Sequence, residues 1–205
     1  MADHNRCAFF YGTLMAPQVL HRVCHGSSDP DNPIFAMHQL KTYSAILHDH
    51  KRHRVKMADY PAVLPAQGST VRGTYVTGLT DMDISRLDVF EGSEYSREKV
   101  KVRILTQIGD GSGEGNVEGE EVDAETYIWT ADPEELDAKE WDFAEFQREK
   151  MRFWVGAEGA GEYAEVDEAF GAHQQDGTGG RGANGHITSA LLKEQKKDEV
   201  VKSAV

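Results

Sequence analysis

A chain of 205 residues suits one ordinary domain plus a tail, and is long enough to bury a core. Its formal charge of −13 argues against nucleic acid as a partner, because phosphate neutralisation needs clustered Lys and Arg. The charge is uneven: residues 1–108 carry 13 bases and 11 acids, whereas 109–125 carry seven acids and no base, a pattern that favours solubility more than a ligand.

Cys7 and Cys24 lie in apolar segments without CxxC spacing, so they read as reduced thiols. The first residues, Met-Ala-Asp-His-Asn-Arg, lack the apolar stretch of a signal peptide, and no segment approaches a membrane span. The expectation is a soluble, cytoplasmic protein. Nothing in the pattern sets an oligomeric state.

Arg6 to Tyr11 is a short apolar run and predicts a buried strand. Gly12-Thr13-Leu14-Met15 follows, and Pro17 opens a segment with apolar residues at 19, 20, 23 and 24, which is helical spacing. A Gly-containing turn between strand and helix exposes backbone N–H groups that can receive an anion or a developing oxyanion. His25 to Pro33 reads as a polar loop, and Ile34 to Leu47 as apolar with strand-like stretches.

His48, His50 and His53 invite a metal reading. Lys51, Arg52 and Arg54 would repel a cation, so the segment is expected to be a solvated hairpin tip and no metal site is assigned. Asp59 to Pro65 is extended between prolines, Gly68 predicts a turn, and Val71 to Leu79 a strand. Thr80-Asp-Met-Asp83 has capping form, and Ile84, Leu87 and Phe90 mark one face of a helix. Glu91 lies beside that stripe, just before Gly92.

Val100, Val102 and Ile104 alternate as in a strand with one wet face. Gly109 to Glu121 is expected to be a mobile insertion, and Val122 to Trp129 another strand. Asp142-Phe-Ala-Glu145 has capping-box form, and Phe143, Phe146, Met151 and Trp154 form an aromatic core stripe at helical spacing. The predicted domain is 6–156. Residues 157–205 are acidic and then Gly-rich; a largely disordered tail with a transient helix over Ser189 to Lys202 is expected, without a catalytic role.

Taken together, Phe10-Tyr11-Gly12-Thr13-Leu14, then Asp59-Tyr60-Pro61-Ala62-Val63, then Leu87-Asp88-Val89-Phe90-Glu91-Gly92 with Tyr95 and Arg97, resemble the γ-glutamyl cyclotransferase-like family. The branch related to plant AIG2 proteins is the nearest match, and Glu140-Trp-Asp-Phe143 fits it. The resemblance spans roughly residues 6–155. It implies an α+β fold, a small, mostly antiparallel or mixed β-barrel flanked by a few helices. It also implies cyclisation of a γ-glutamyl amide to 5-oxoproline with release of an amine. The catalytic carboxylate maps onto Glu91, and the substrate-binding turn onto Tyr11, Gly12, Thr13, Leu14, Met15 and Ala16.

That chemistry suits these residues. The substrate's α-amine must lose a proton before attacking its own γ-carbonyl, and partial burial beside Phe90 would raise the pKa of Glu91 toward that task. N–H groups of Gly12 to Met15 could hold the oxyanion or the substrate carboxylate. Tyr11 or Tyr95 could donate at the rim. The expected partner is a small γ-glutamyl substrate, with no cofactor, no nucleic acid and no membrane. The alternative is a non-catalytic protein on the same fold that binds a small molecule or a partner.

Overall fold

The computed structural model describes residues 6–27, 29 and 31–155, so the expectations for the tail lie outside the described residues. Six strands form one mixed sheet: β1 (Arg6–Phe10), β2 (Lys41–Val55), β3 (Pro61–Leu79), β4 (Tyr95–Gln107), β5 (Val117–Trp129) and β6 (Leu136–Asp137). Its order is β3-β1-β5-β4-β2-β6, and a further β2–β3 pairing closes the first five into a barrel. β1 runs antiparallel to β3 and parallel to β5, where Ala8 faces Glu125; the other pairs are antiparallel. This is the α+β barrel that the resemblance implies.

The helices are α1 (Pro17–His25), α2 (Pro33–Met37), α3 (Asp81–Glu91), α4 (Phe143–Glu145) and α5 (Met151–Val155), the last two joined by a π segment, Phe146–Lys150. β1 is buried on both faces, as its unbroken apolar run requires. Phe9 and Tyr11 join a cluster fed by all five barrel strands, including Leu47, Val71, Val102 and Ile128, which fills the barrel. Ala8 and Phe10 join a second cluster with Val19 and Val23 of α1, Leu87 and Phe90 of α3, and Trp154 of α5. Gly73 allows this crossing: a Cβ there would stand 2.3 Å from the Phe10 carbonyl oxygen.

Four local expectations change. Pro61–Leu79 is one 19-residue strand, not a segment, a turn and a strand. Its pairing with β2 jumps from His48–Thr70 to His50–Pro65, so residues 66–69 bulge out opposite Asp49. Asp49 and Gly68 both take positive φ there, and the Gly68 N–H donates to Asp49 Oδ1 at 2.8 Å. His48 to Arg54 therefore lies inside β2; the hairpin tip is residues 56–60.

Ile34 to Met37 is helical rather than strand-like, because Asn32 caps the Ile34 N–H at 3.1 Å and Pro33 sits in the first turn. Of the expected insertion 109–121, residues 117–121 belong to β5. The remaining loop is tied by Asp110 Oδ1, which accepts from the Ser112 and Glu114 N–H groups. Among the described residues, no helix is long and apolar enough to cross a membrane.

Candidate active site

Three segments converge at one end of β1. The first is the turn itself. Gly12 caps a single 3-10 turn, Thr13–Met15, which runs through Ala16 into α1 with Pro17 at its start. The Met15 N–H donates to the Gly12 carbonyl at 3.0 Å and the Ala16 N–H to Thr13 at 3.1 Å. Those two donors are committed to the turn. The N–H groups of its first residues, Thr13 and Leu14, are the ones that the turn's own bonding pattern does not use.

The second segment is the start of β3. Pro61 packs directly on Gly12, where a Cβ would fall 2.8 Å from Pro61 Cγ. Glycine is demanded here by contact, since its φ of −128° is open to any residue. Tyr95 holds Pro61 from below, its hydroxyl donating to the Pro61 carbonyl at 3.0 Å.

The third segment is the last turn of α3. Thr80 and Asp83 form the expected capping box, with Thr80 N–H and Oγ1 both donating to Asp83 Oδ2. Ile84, Leu87 and Phe90 face the core, and Glu91 closes the helix at 8 % exposure. Gly92 then takes φ 72°, which ends the helix and turns the chain toward β4.

Glu91, Gly12, Thr13, Leu14, Pro61 and Tyr127 line one recess, together with Tyr11 and Tyr60. About 20 Å³ of it admits a water-sized sphere. The Tyr127 hydroxyl donates to Asp88 Oδ1 at 2.9 Å, one helical turn before Glu91. Burial first, then the charges of Asp88 and Glu91, pushes the Tyr127 phenol far above its ordinary range, so it acts as a donor. Arg97 grips Asp88 through Nε at 2.8 Å and also bonds Glu125. The Tyr11 hydroxyl donates to the Tyr127 carbonyl, which ties the residue before the turn's Gly12 cap to β5.

Residues 8–145 match the family model described as gamma-glutamyl cyclotransferase, AIG2-like. The chain belongs to this γ-glutamyl cyclotransferase, AIG2-like family. AIG2-like protein D of Arabidopsis thaliana is 32 % identical over 143 residues, 70 % of this chain and 80 % of that protein. Protein AIG2 C of the same plant is 29 % identical over 145 residues, covering 71 % and 73 % of the two chains. A solution structure from Arabidopsis thaliana, 23 % identical, superposes with a TM-score of 0.50 over 84 % of this chain and 88 % of that one, a likeness of fold.

Of the residues that the family resemblance singles out, Tyr11, Gly12, Thr13, Leu14 and Glu91 meet at the recess. Ala16 is wholly buried in the core, and Tyr95 lies beneath Pro61 rather than on the recess wall. Met15 faces a second, larger cleft of about 500 Å³, walled by Arg52, Arg72, Lys139 and Trp141. Arg52 links the two spaces: Nη1 donates to the Tyr11 carbonyl at 3.0 Å and Nη2 to Glu140 at 2.9 Å.

Sequence reasoning missed Tyr127 and Arg52. In the sequence Tyr127 is one residue of an alternating strand, and Arg52 is one cation beside histidines. His48, His50 and His53 do not converge: His48 meets Glu118, whereas His50 and His53 donate to the His48 and Asp137 carbonyls. The residues that converge are His25, His38 and Asp83, 13 and 45 positions apart, which no local motif announces. Burial pulls the His25 pKa down to about 4.

Proposed function

We propose that this protein is a γ-glutamyl cyclotransferase in which Glu91 moves the proton. The observation that carries the reading is the placement of a buried carboxylate in the same recess as the first turn after β1. The substrate's α-ammonium gives a proton to Glu91, and the freed amine attacks the γ-carbonyl carbon. A C–N bond forms and closes the five-membered ring. The oxyanion is received by the Thr13 and Leu14 N–H groups. Glu91 gives that proton to the departing nitrogen as the old C–N bond breaks, then takes the second proton from the ring nitrogen and passes it to the freed amine, leaving 5-oxoproline and an ammonium product.

The remaining residues serve this step by position. Tyr95 holds Pro61 over Gly12, and Asp88 orients Tyr127 beside Glu91. The leaving group extends past Met15 into the larger cleft, where Arg52 and Arg72 offer cationic walls. The free thiols of Cys7 and Cys24 support a reducing, cytoplasmic setting.

A panel of γ-glutamyl amines incubated with the full chain tests the reading. Release of 5-oxoproline by the native protein, and its loss in Glu91→Gln, is the expected result. Equal rates from both proteins would remove Glu91 from the mechanism. The second reading is binding without turnover on the same fold. A ligand-dependent rise in thermal stability with no product from any compound would select it.

A further inference from the structure

Where the C-terminal end of α1 and the residue after α2 meet the first turn of α3, three histidines and a carboxylate pack together. The His38 Nε2–H donates to the Gly78 carbonyl at 2.7 Å, since a carbonyl can only accept. In the neutral ring this leaves the lone pair on His38 Nδ1, which lies 2.7 Å from His25 Nε2. His25 Nδ1 in turn lies 3.1 Å from His21 Nδ1, one turn earlier on the same helix. Asp83 Oδ2 is held by the Thr80 N–H and hydroxyl, whereas Oδ1 stands 3.9 Å from His25 Nε2. The side chains of His25, His38 and Asp83 are nearly closed to solvent.

We propose that His25 Nε2, His38 Nδ1 and Asp83 Oδ1 form a binding site for a divalent transition metal of the Zn²⁺ type. Two observations carry this. A ligating atom from each residue lies within 4.8 Å of the others, in a two-imidazole, one-carboxylate set that suits such a metal. In addition, each ligand's other polar atom is already held: His38 by Gly78, Asp83 by Thr80, His25 by His21. A metal-binding histidine whose second nitrogen is fixed by a carbonyl or a neighbouring side chain is the usual outer arrangement of a zinc site.

Binding costs no proton. The metal takes the position of the hydrogen between His25 and His38. The His25 proton moves to Nδ1 and donates to His21 Nδ1, whose own proton moves to Nε2. All three rings stay neutral. The His25–His38 separation must open to about 3.3 Å, which bonds of about 2.0–2.1 Å at tetrahedral angles require. The metal would clamp α1, which follows the Gly12–Met15 turn, to α3, which ends in Glu91. The bound metal is thus structural and stands apart from the proposed reaction.

Titration of the full, chelator-stripped chain with Co²⁺ tests the site. One equivalent, with visible ligand-field absorption of a tetrahedral site, is expected, and Zn²⁺ should displace it. His38→Gln and His25→Gln should each weaken binding about tenfold or more. A joint His48→Gln, His50→Gln, His53→Gln control should bind as the native chain does. No stoichiometric binding, or undiminished binding in a folded His38→Gln variant, overturns the proposal. Should either variant fail to fold, imidazole ¹⁵N shifts of the native chain decide. Movement of His25 and His38 on Zn²⁺ addition supports the site, and unmoved resonances overturn it.

Discussion

Helix α3 carries two buried carboxylates in opposite settings. Asp83, at 3 % exposure, lies in the first turn, and Glu91, at 8 %, is the last residue. The first turn of a helix offers unpaired N–H donors and the last offers carbonyls. Asp83 is accordingly wrapped by donors: the Thr80 N–H at 2.8 Å and its hydroxyl at 2.7 Å. Glu91 instead borders a recess that Thr13 and Leu14 also line. Burial alone therefore does not identify a catalytic acid. Asp83 is built into the fold, and Glu91 is built beside a recess, where the proposed substrate would sit.

The sharpest way to break this contrast is to exchange the two losses. Glu91→Gln should lower 5-oxoproline formation by about 10²- to 10⁴-fold, the usual reach of general acid–base catalysis. Its stability to urea should stay within about 1 kcal/mol of the native chain. Asp83→Ala should do the reverse. It leaves the Thr80 N–H and hydroxyl buried without their acceptor and should cost about 1–3 kcal/mol in urea unfolding, with kcat little changed.

Gly12→Ala sharpens the recess side of the comparison. The new methyl overlaps Pro61, so the turn or the start of β3 must shift. A loss of about 1–3 kcal/mol in stability is expected. Because the shift displaces the turn that shares the recess with Glu91, turnover should fall by more than KM rises. Tyr127→Phe is the mildest test. It removes one hydrogen bond to Asp88 and should cost about 1 kcal/mol, read from the thermal midpoint.

The legible parts of the fold were those written in neighbouring residues. The Thr80–Asp83 cap, the Ile84–Leu87–Phe90 stripe and the strand–Gly–helix order around Gly12 each follow from local chemistry, and each stands in the structure. The bulge opposite Asp49 was not legible, because a long strand that swells by four residues looks like two strands and a turn. The His48 segment is largely solvated, as its charge suggested, but it lies within β2 rather than at a hairpin tip, because strand pairing continues through Leu64 and Val63. In the recess, Glu91 and the turn were reached through the family resemblance. Tyr127 was not, because its part depends on Asp88, 39 positions earlier in the chain.

The pairing of β1 bears on how the molecule is made. Its five residues are slotted between β3 and β5, and its contact with β5 joins Ala8 to Glu125. Loop closure over such a span is slow compared with the hairpin β2–β3 or β4–β5. During synthesis the first strand must therefore wait until more than half the chain has emerged. The Gly12–Met15 turn hangs from that strand, whereas Glu91 arrives with the later helix. The recess consequently comes into being with barrel closure, and a chain stalled before that step holds both halves of the site without having joined them.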